Sequence, residues 1–428
     1  MDQIVKVTAG GSMNRQQKLI VKSRSHRPER WLTIRVYGNI LYTTGAWGSE
    51  SVRLSDANPL KESHVDSWMK DCAEHGVTAV LWQSNCGGTF THPSPVFPLA
   101  GLPLPPHNDA WLPVWGFLGG QVRAFDTLTV GIAAAHKYGL RLVYSLCLWD
   151  FVDSPFEDSI FHPNLWMLSR NGEPFFGVPC YAEPETQELM LKHVRDVLDR
   201  GVDDLAITFF THVQHQGTDR PNHYGFNPSL AEAYRKKHNI DPRQRSFDES
   251  NLASVIGDTY TGFLRRLHKE TSQRGQRLIA CTTPDGQWGW GGSGGQQLWD
   301  CYNDSGSMPV IAPNCSIELQ WKQWVQEKIV DGLLVSVPPV DSVIQCQKMR
   351  SETDVPVLLW RKVDPAVTSD QFSLFEDEAI FVGEKKVDGY VVHAMFIWMK
   401  NAPRFGDYPP KLWHLIRCAT GENSVHMV

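Results

Sequence analysis

The sequence predicts an α/β fold, a single-domain (β/α)8 barrel with long loops after its strands. Three observations lead there. The first is a recurring unit: a helix ends at a Gly or tight turn, and an apolar run follows. It reads His-Gly-Val-Thr-Ala-Val-Leu-Trp (75–82), Tyr-Gly-Leu-Arg-Leu-Val-Tyr-Ser-Leu (138–146) and Arg-Gly-Val-Asp-Asp-Leu-Ala-Ile-Thr-Phe-Phe (200–210). It returns as Ile-Val-Asp-Gly-Leu-Leu-Val-Ser-Val (329–337) and Lys-Val-Asp-Gly-Tyr-Val-Val-His-Ala (386–394). The second is that each run is apolar on both faces, as in strands of a parallel sheet covered on both sides. The third is the number of such runs, since eight strands alternating with helices close a barrel.

Taken in order, residues 1–30 are polar and end basic (Arg24, His26, Arg27, Arg30), which reads as a tail or peripheral segment. The barrel is expected over 31–400, with a terminal helix and tail over 401–428. Residues 31–37 form the first strand, ending at Gly38-Asn39. A helix over 65–75 leads to the second strand, 77–83. Residues 85–120 then form a long loop containing seven prolines. Loops of that length in a compact domain are usually functional. A helix over 126–138 leads to strand three, 140–148, and a helix over 184–200 to strand four, 205–210. Helices over 228–239 and 252–274 precede strand five, 278–282. A Gly/Trp-rich loop, 286–295, follows. The helix over 321–329 leads to strand six, 333–337. Strands seven and eight are 355–360 and 390–395. In such a fold the loops after the strands carry chemistry, whereas the Asp of each Val-Asp-Gly precedes its strand. Asp203, Asp331 and Asp388 are therefore expected to be structural.

Composition narrows the function. A net charge of −6 argues against nonspecific binding to nucleic acid or an anionic membrane. The longest apolar runs are strand-length, so no transmembrane helix is expected. The N-terminus, Met-Asp-Gln-Ile-Val-Lys-Val-Thr, lacks a basic segment followed by an apolar core. The sequence as it stands therefore reads as cytoplasmic, although a leader already removed would leave no trace. Nine scattered cysteines, with no Cys-x-x-Cys, point to a reducing compartment and away from zinc-thiolate sites. Sixteen tryptophans include several outside the periodic runs. Flat apolar rings suit the flat faces of sugars, and they also serve plain packing.

A resemblance follows from particular residues. The run Tyr224-Gly225-Phe226-Asn227-Pro228 precedes Tyr234-Arg235-Lys236-Lys237-His238-Asn239-Ile240-Asp241-Pro242-Arg243. Phe247-Asp248 and Tyr260-Thr261-Gly262-Phe263-Leu264-Arg265-Arg266-Leu267 come next. Together with Trp321-x-x-Trp324-Val325, Ile329-Val330-Asp331-Gly332-Leu333 and a first strand ending in Asn39, these resemble the family-10-like glycosyl hydrolase proteins of bacterial genomes. The likeness spans roughly residues 31–400, the extent of the expected barrel. It implies a barrel acting on a carbohydrate, an oligosaccharide or polysaccharide, with no cofactor. One departure stands out. Such families end the fourth strand with an acidic residue; here Thr208 stands in that place.

Glycosidic-bond hydrolysis needs two carboxyl groups, one protonated for the leaving group and one ionised. Asp150, after strand three, and Asp285, after strand five, are the catalytic candidates. Asp150 lies in Leu148-Trp149-Asp150-Phe151, an apolar setting of the kind that favours a neutral acid. The bland alternatives are a loop cap for Asp150 and an Asx-turn before Gly286 for Asp285. His212 is the third catalytic candidate, after strand four, as a proton shuttle or hydrogen bonder. Asp153, His215, Tyr224, Gln83, Asn85 and His393 are candidates for sugar hydroxyl contacts. Trp82, Trp149 and Trp288 are candidate stacking platforms. Arg361, directly after Leu359-Trp360, would pair with a uronate or sulfate by a bidentate fork, or else hold the rim by a salt bridge. Three readings stay open: a hydrolase using two carboxylates, a barrel that binds sugar without cleaving it, and a metal-dependent barrel hydrolase or isomerase using His212, His215 and His393. The sugar, the linkage and the oligomeric state are not legible.

Overall fold

The computed structural model describes residues 28–46, 57–101, 112–151, 163–208, 224–244, 246–288, 317–337, 341–363, 368–394 and 408–421. Eight parallel strands close into a barrel: β1 (Glu29–Arg35), β2 (Ala79–Gln83), β3 (Arg141–Cys147), β4 (Asp204–Thr208), β5 (Arg277–Thr282), β6 (Gly332–Ser336), β7 (Val357–Val363) and β8 (Gly389–Ala394). Each pairs with its sequence neighbours, and β8 returns to β1 through Leu32↔Val392 and Thr33↔His393. Eleven helices accompany them among the described residues. They are α1 (Val36–Thr44), α2 (Glu62–Glu74), α3 (Leu112–Ala124), α4 (Thr127–Lys137), α5 (Pro184–Asp199) and α6 (Pro228–His238), then α7 (Glu249–Ser272), α8 (Trp321–Gln326), α9 (Ser342–Ser351), α10 (Ser369–Gly383) and α11 (Tyr408–Cys418). None of the described helices is long and apolar enough to cross a membrane.

The recurring Asp is a clamp at the entry side of the barrel. The Asp331 backbone N–H donates to the Leu278 carbonyl at 2.7 Å, while its carboxylate accepts the Leu278 N–H at 2.8 Å. Asp388 brackets Val357 in the same way, at 3.1 and 3.0 Å, and Asp203 brackets Leu142, at 2.9 and 2.7 Å. Thr78 takes the place of Asp in the first copy: its N–H donates to the Arg30 carbonyl at 2.7 Å and its Oγ1 accepts the Arg30 N–H at 2.9 Å. Each side chain thus satisfies a strand-entry N–H that the ladder leaves open, as buried backbone donors require. Asp331→Ala and Asp388→Ala are expected to lower unfolding free energy by about 1–3 kcal/mol each, the cost of an orphaned donor. Ligand affinity of the folded fraction should stay unchanged. Denaturant melts check this, and a parent-like melt would contradict the clamp.

The same end is closed by charge. Arg141 bridges Glu29 and Asp204, both at 2.5 Å, and Arg277 binds Asp204 at 2.8 Å and Glu29 at 3.3 Å. Trp31 Nε1 donates to Glu29 at 2.5 Å beneath this layer. The ion pairs fill the lumen at the entry end of the barrel.

Several boundaries differ from the sequence reading. β1 starts at Glu29, inside the segment read as a tail, and stops at Arg35. The chain turns straight into α1, where the buried Asn39 donates from Nδ2 to the Arg35 carbonyl at 2.9 Å. Asn39 is thus a helix residue and not a strand end. The loop read over 85–120 contains a hairpin, Asn85–Cys86 against Thr89–Phe90, and most of α3. β7 runs three residues beyond Trp360, to Val363.

Candidate active site

Strand alternation decides which side chains reach the barrel lumen. Trp82 lies against Gly131 of α4, where an added Cβ would meet its ring at 3.1 Å, so Trp82 points outward and Gln83 inward. Tyr144 reaches His193 on α5 at 3.0 Å, so it too points outward and Ser145 inward. Ser145 Oγ meets Thr208 Oγ1 at 2.9 Å inside the barrel. Arg361 pairs outward with Glu378 on α10, which turns Trp360 and Lys362 inward. The exit rim is therefore lined by Arg35, Gln83, Ser145, Thr208, Trp360, Lys362 and His393.

Asp150 sits just past β3 and is fully buried. The hairpin after β2 holds it. Gly87 (φ 59°) and Gly88 (φ 95°) make the two-residue turn, both in the left-handed region that such tight hairpin turns need. That turn brings the Gly87 N–H to 3.4 Å from Asp150 Oδ2. Asn85 Nδ2 donates to the Asp150 carbonyl at 3.1 Å, and Asn85 Oδ1 accepts the Gly88 N–H at 3.0 Å. On the other side, Tyr181 Oη donates to the Leu148 carbonyl at 2.8 Å, and the Phe151 N–H donates to the Gly177 carbonyl at 3.1 Å. Asn85 is thus a scaffold for Asp150.

Asp285 follows β5 but takes the bland role. Its Oδ1 accepts the Thr283 hydroxyl at 2.9 Å and the Gln287 N–H at 3.0 Å, an Asx-turn across Gly286 (φ 74°). It is exposed, in contrast to the enclosed Asp150.

Trp149 and Trp288 stack on each other, with centroids 5.0 Å apart and planes at 21°. Tyr260 packs against Trp149 at 5.4 Å. Both indoles are buried. Their faces are already used, so they are not open stacking platforms. Trp82 is no platform either, because its ring is buried under α4 outside the lumen. The uronate or sulfate role of Arg361 is corrected as well. Its guanidinium forks onto Glu378 at 2.9 and 2.6 Å, deep between β7 and α10. A crevice beside Trp149, Tyr181 and Tyr260 has room for about one water and cannot take a sugar. Tyr224 is half-buried and stacks on Phe175 at 4.4 Å. Asp153, His212 and His215 lie outside the described residues.

His393 is the penultimate residue of β8 and meets the Trp360 ring edge-on at 5.6 Å. Burial, and then the charges of Arg35 and Lys362, hold its imidazole well below its ordinary range. A neutral His393 between two cations suits a hydroxyl contact better than a metal. His92, in the loop after β2, is buried among Phe90, Tyr144 and His193. Neither of its ring nitrogens has a hydrogen-bond partner among the described residues. Burial pushes its pKa down to about 3.

The folded protein therefore binds fewer protons than the unfolded chain below the ordinary histidine value, so this contribution lowers stability as pH falls from about 6.5 toward about 3. At pH 5 the loss from His92 is about 2 kcal/mol, at 1.36 kcal/mol per unit. The drop in unfolding free energy between pH 7 and pH 5 should be smaller in His92→Phe by about that amount. Equal drops in parent and variant would contradict it.

Sequence reasoning missed Arg35, Lys362, Trp360 and Ser145. Arg35 is buried, hydrogen-bonds Tyr37 Oη and lies over its ring at 5.0 Å. The signal was available: once Arg361 is taken as a strand residue, alternation places Trp360 and Lys362 in the lumen.

No family model matches the chain, and no curated protein matches it. Solved structures resemble it remotely. A GH20 exo-β-N-acetylglucosaminidase from Vibrio harveyi, in complex with N-acetylglucosamine, is 10% identical, with a TM-score of 0.49, over 94% of this chain and 55% of that one. An endo-β-1,4-mannanase from Thermotoga petrophila is 11% identical, with a TM-score of 0.46, over 95% of this chain and 79% of that one. The PgaB (BpsB) glycoside hydrolase domain from Bordetella bronchiseptica is 10% identical, with a TM-score of 0.46, over 90% and 97%. The chain thus spans about half the length of the first of these. At such identities and scores the matches carry no argument about the reaction, and the barrel rests on its own strand pairing.

Proposed function

We propose that this barrel binds an oligosaccharide or polysaccharide at the exit ends of its strands and hydrolyses a glycosidic bond there, with Asp150 as the proton donor. The observation that carries the reading is the setting of Asp150. It is a buried carboxyl three residues past β3, held by the Asn85–Phe90 hairpin, at the face where such barrels place chemistry. The rim candidates for hydroxyl contacts are Gln83 and His393, since Ser145 and Thr208 hold each other. The reading needs a second carboxylate, for which Asp285 is the described candidate, although its carboxylate is engaged in its own turn. The resemblance to family-10-like glycosyl hydrolases agrees with this reading.

A second reading is favoured by two specific observations. Thr208 replaces the usual acid and is tied to Ser145, and the Asp285 carboxylate is engaged in its own turn. Both fit a barrel that binds sugar without cleaving it. Incubating the protein with a panel of glycans and detecting new reducing ends separates the two. Released product from at least one glycan supports hydrolysis; saturable binding without product supports the binding-only barrel; neither binding nor product overturns both.

A further inference from the structure

Away from the barrel mouth, helices α10 and α11 bring three metal-ligating side chains together. We propose that Glu376, His414 and Cys418 form a zinc site that clamps the terminal helix α11 onto α10. His414 and Cys418 are four residues apart on α11 and so share one face. Glu376 reaches them from α10. His414 Nε2 lies 2.6 Å from Glu376 Oε1 and 3.4 Å from Cys418 Sγ. The three ligand atoms all lie within 4.8 Å of one another.

One hydrogen bond, from the His414 Nε2–H to the Glu376 carboxylate, accounts for the short pair and leaves the thiol as a weak third partner. One ring nitrogen, with one proton or one lone pair, faces both a carboxylate oxygen and a thiol sulfur. A cation serves all three at once. In a tetrahedral zinc site the nitrogen and sulfur stand roughly 3.5 Å apart, and nitrogen and oxygen roughly 3.3 Å, given the usual bond lengths. The nitrogen–sulfur spacing already fits, and the nitrogen–oxygen pair has to open by roughly 0.7 Å on that geometry. A thiolate, an imidazole and one carboxylate select zinc over magnesium or calcium. Thiolate and carboxylate together neutralise the dication. Three protein ligands leave a fourth position for water, and the side chains of His414 and Glu376 are 25% and 35% exposed, so that position is open to solvent. Arg417, the neighbour of Cys418 on α11, is the cation that opposes the ion.

Titration of the full chain with Co²⁺, a spectroscopic stand-in for zinc, tests the site. The parent should develop a thiolate-to-cobalt charge-transfer band that saturates at one ion per chain and is abolished by Zn²⁺. Cys418→Ser should lose that band. Glu376→Gln, at a partly exposed position that leaves the fold intact by circular dichroism, should weaken zinc binding by at least about 10-fold in calorimetry, the minimum expected for losing a direct ligand when outer-shell partners alone cost that much. No charge-transfer band in the parent, a band of equal strength in Cys418→Ser, or parent-like zinc affinity in Glu376→Gln would each overturn the proposal.

Discussion

Asp150→Asn is expected to lower turnover on an unactivated glycoside by a factor of about 10² to 10⁴, the usual contribution of general acid catalysis. The change is nearly isosteric. It keeps an acceptor oxygen for the Gly87 N–H and leaves the Asn85 bond to the main-chain carbonyl untouched. Folding should therefore survive, and the loss should be chemical. A substrate whose leaving group needs no protonation should be spared, because the lost group only donates a proton. Equal losses on activated and unactivated substrates would refute the acid role. The distance between the Asp150 carboxyl and its partner then sets stereochemistry: about 5 Å for retention, roughly 6.5–9.5 Å for inversion.

Glu378→Ala is expected to be the most damaging change to stability, at about 3–5 kcal/mol, because it strands the buried Arg361 guanidinium. Glu378 holds that guanidinium with both oxygens and also accepts from Ser342 and Tyr390. Arg361→Ala should cost a similar amount for the mirrored reason, while sugar affinity of the folded fraction stays at the parent level. The double variant Arg361→Met, Glu378→Leu should recover most of the loss, since well-packed apolar pairs often replace buried ion pairs without penalty. Thermal and denaturant melts of the four proteins check this. A stable Arg361→Ala with lost binding of acidic sugars would restore the rim role.

The barrel was legible because its signals are local and repeated. Seven of the eight strands follow a helix-ending turn among the described residues, and Asp203, Asp331 and Asp388 of those turns clamp the entry of the neighbouring strand. Thr78 shows that the unit tolerates a different acceptor. The site was legible only in part, because it depends on alternation and on distant partners. The apolar run ends at Trp360 and gives Arg361 the look of a rim residue; three more strand residues turn it outward to Glu378, a helix residue with no mark in the strand. Trp82 and Trp288 looked like platforms because indoles suit sugars, but Gly131 and Trp149, far off in sequence, bury them. Asp285 obeyed its neighbours Thr283 and Gln287, the turn chemistry that Asp-Gly favours. The Glu29–Arg141–Asp204–Arg277 plug carries no local motif, since its members come from four strands.

The most direct measurement is a crystal structure of the Asp150→Asn protein soaked with an oligosaccharide from the panel. The sugar should lie at the exit ends of the strands, with a glycosidic oxygen within hydrogen-bond reach of residue 150 and hydroxyls on Gln83 or His393. A sugar bound at the plugged entry end, or at the exit face with no glycosidic oxygen near residue 150, would contradict the account.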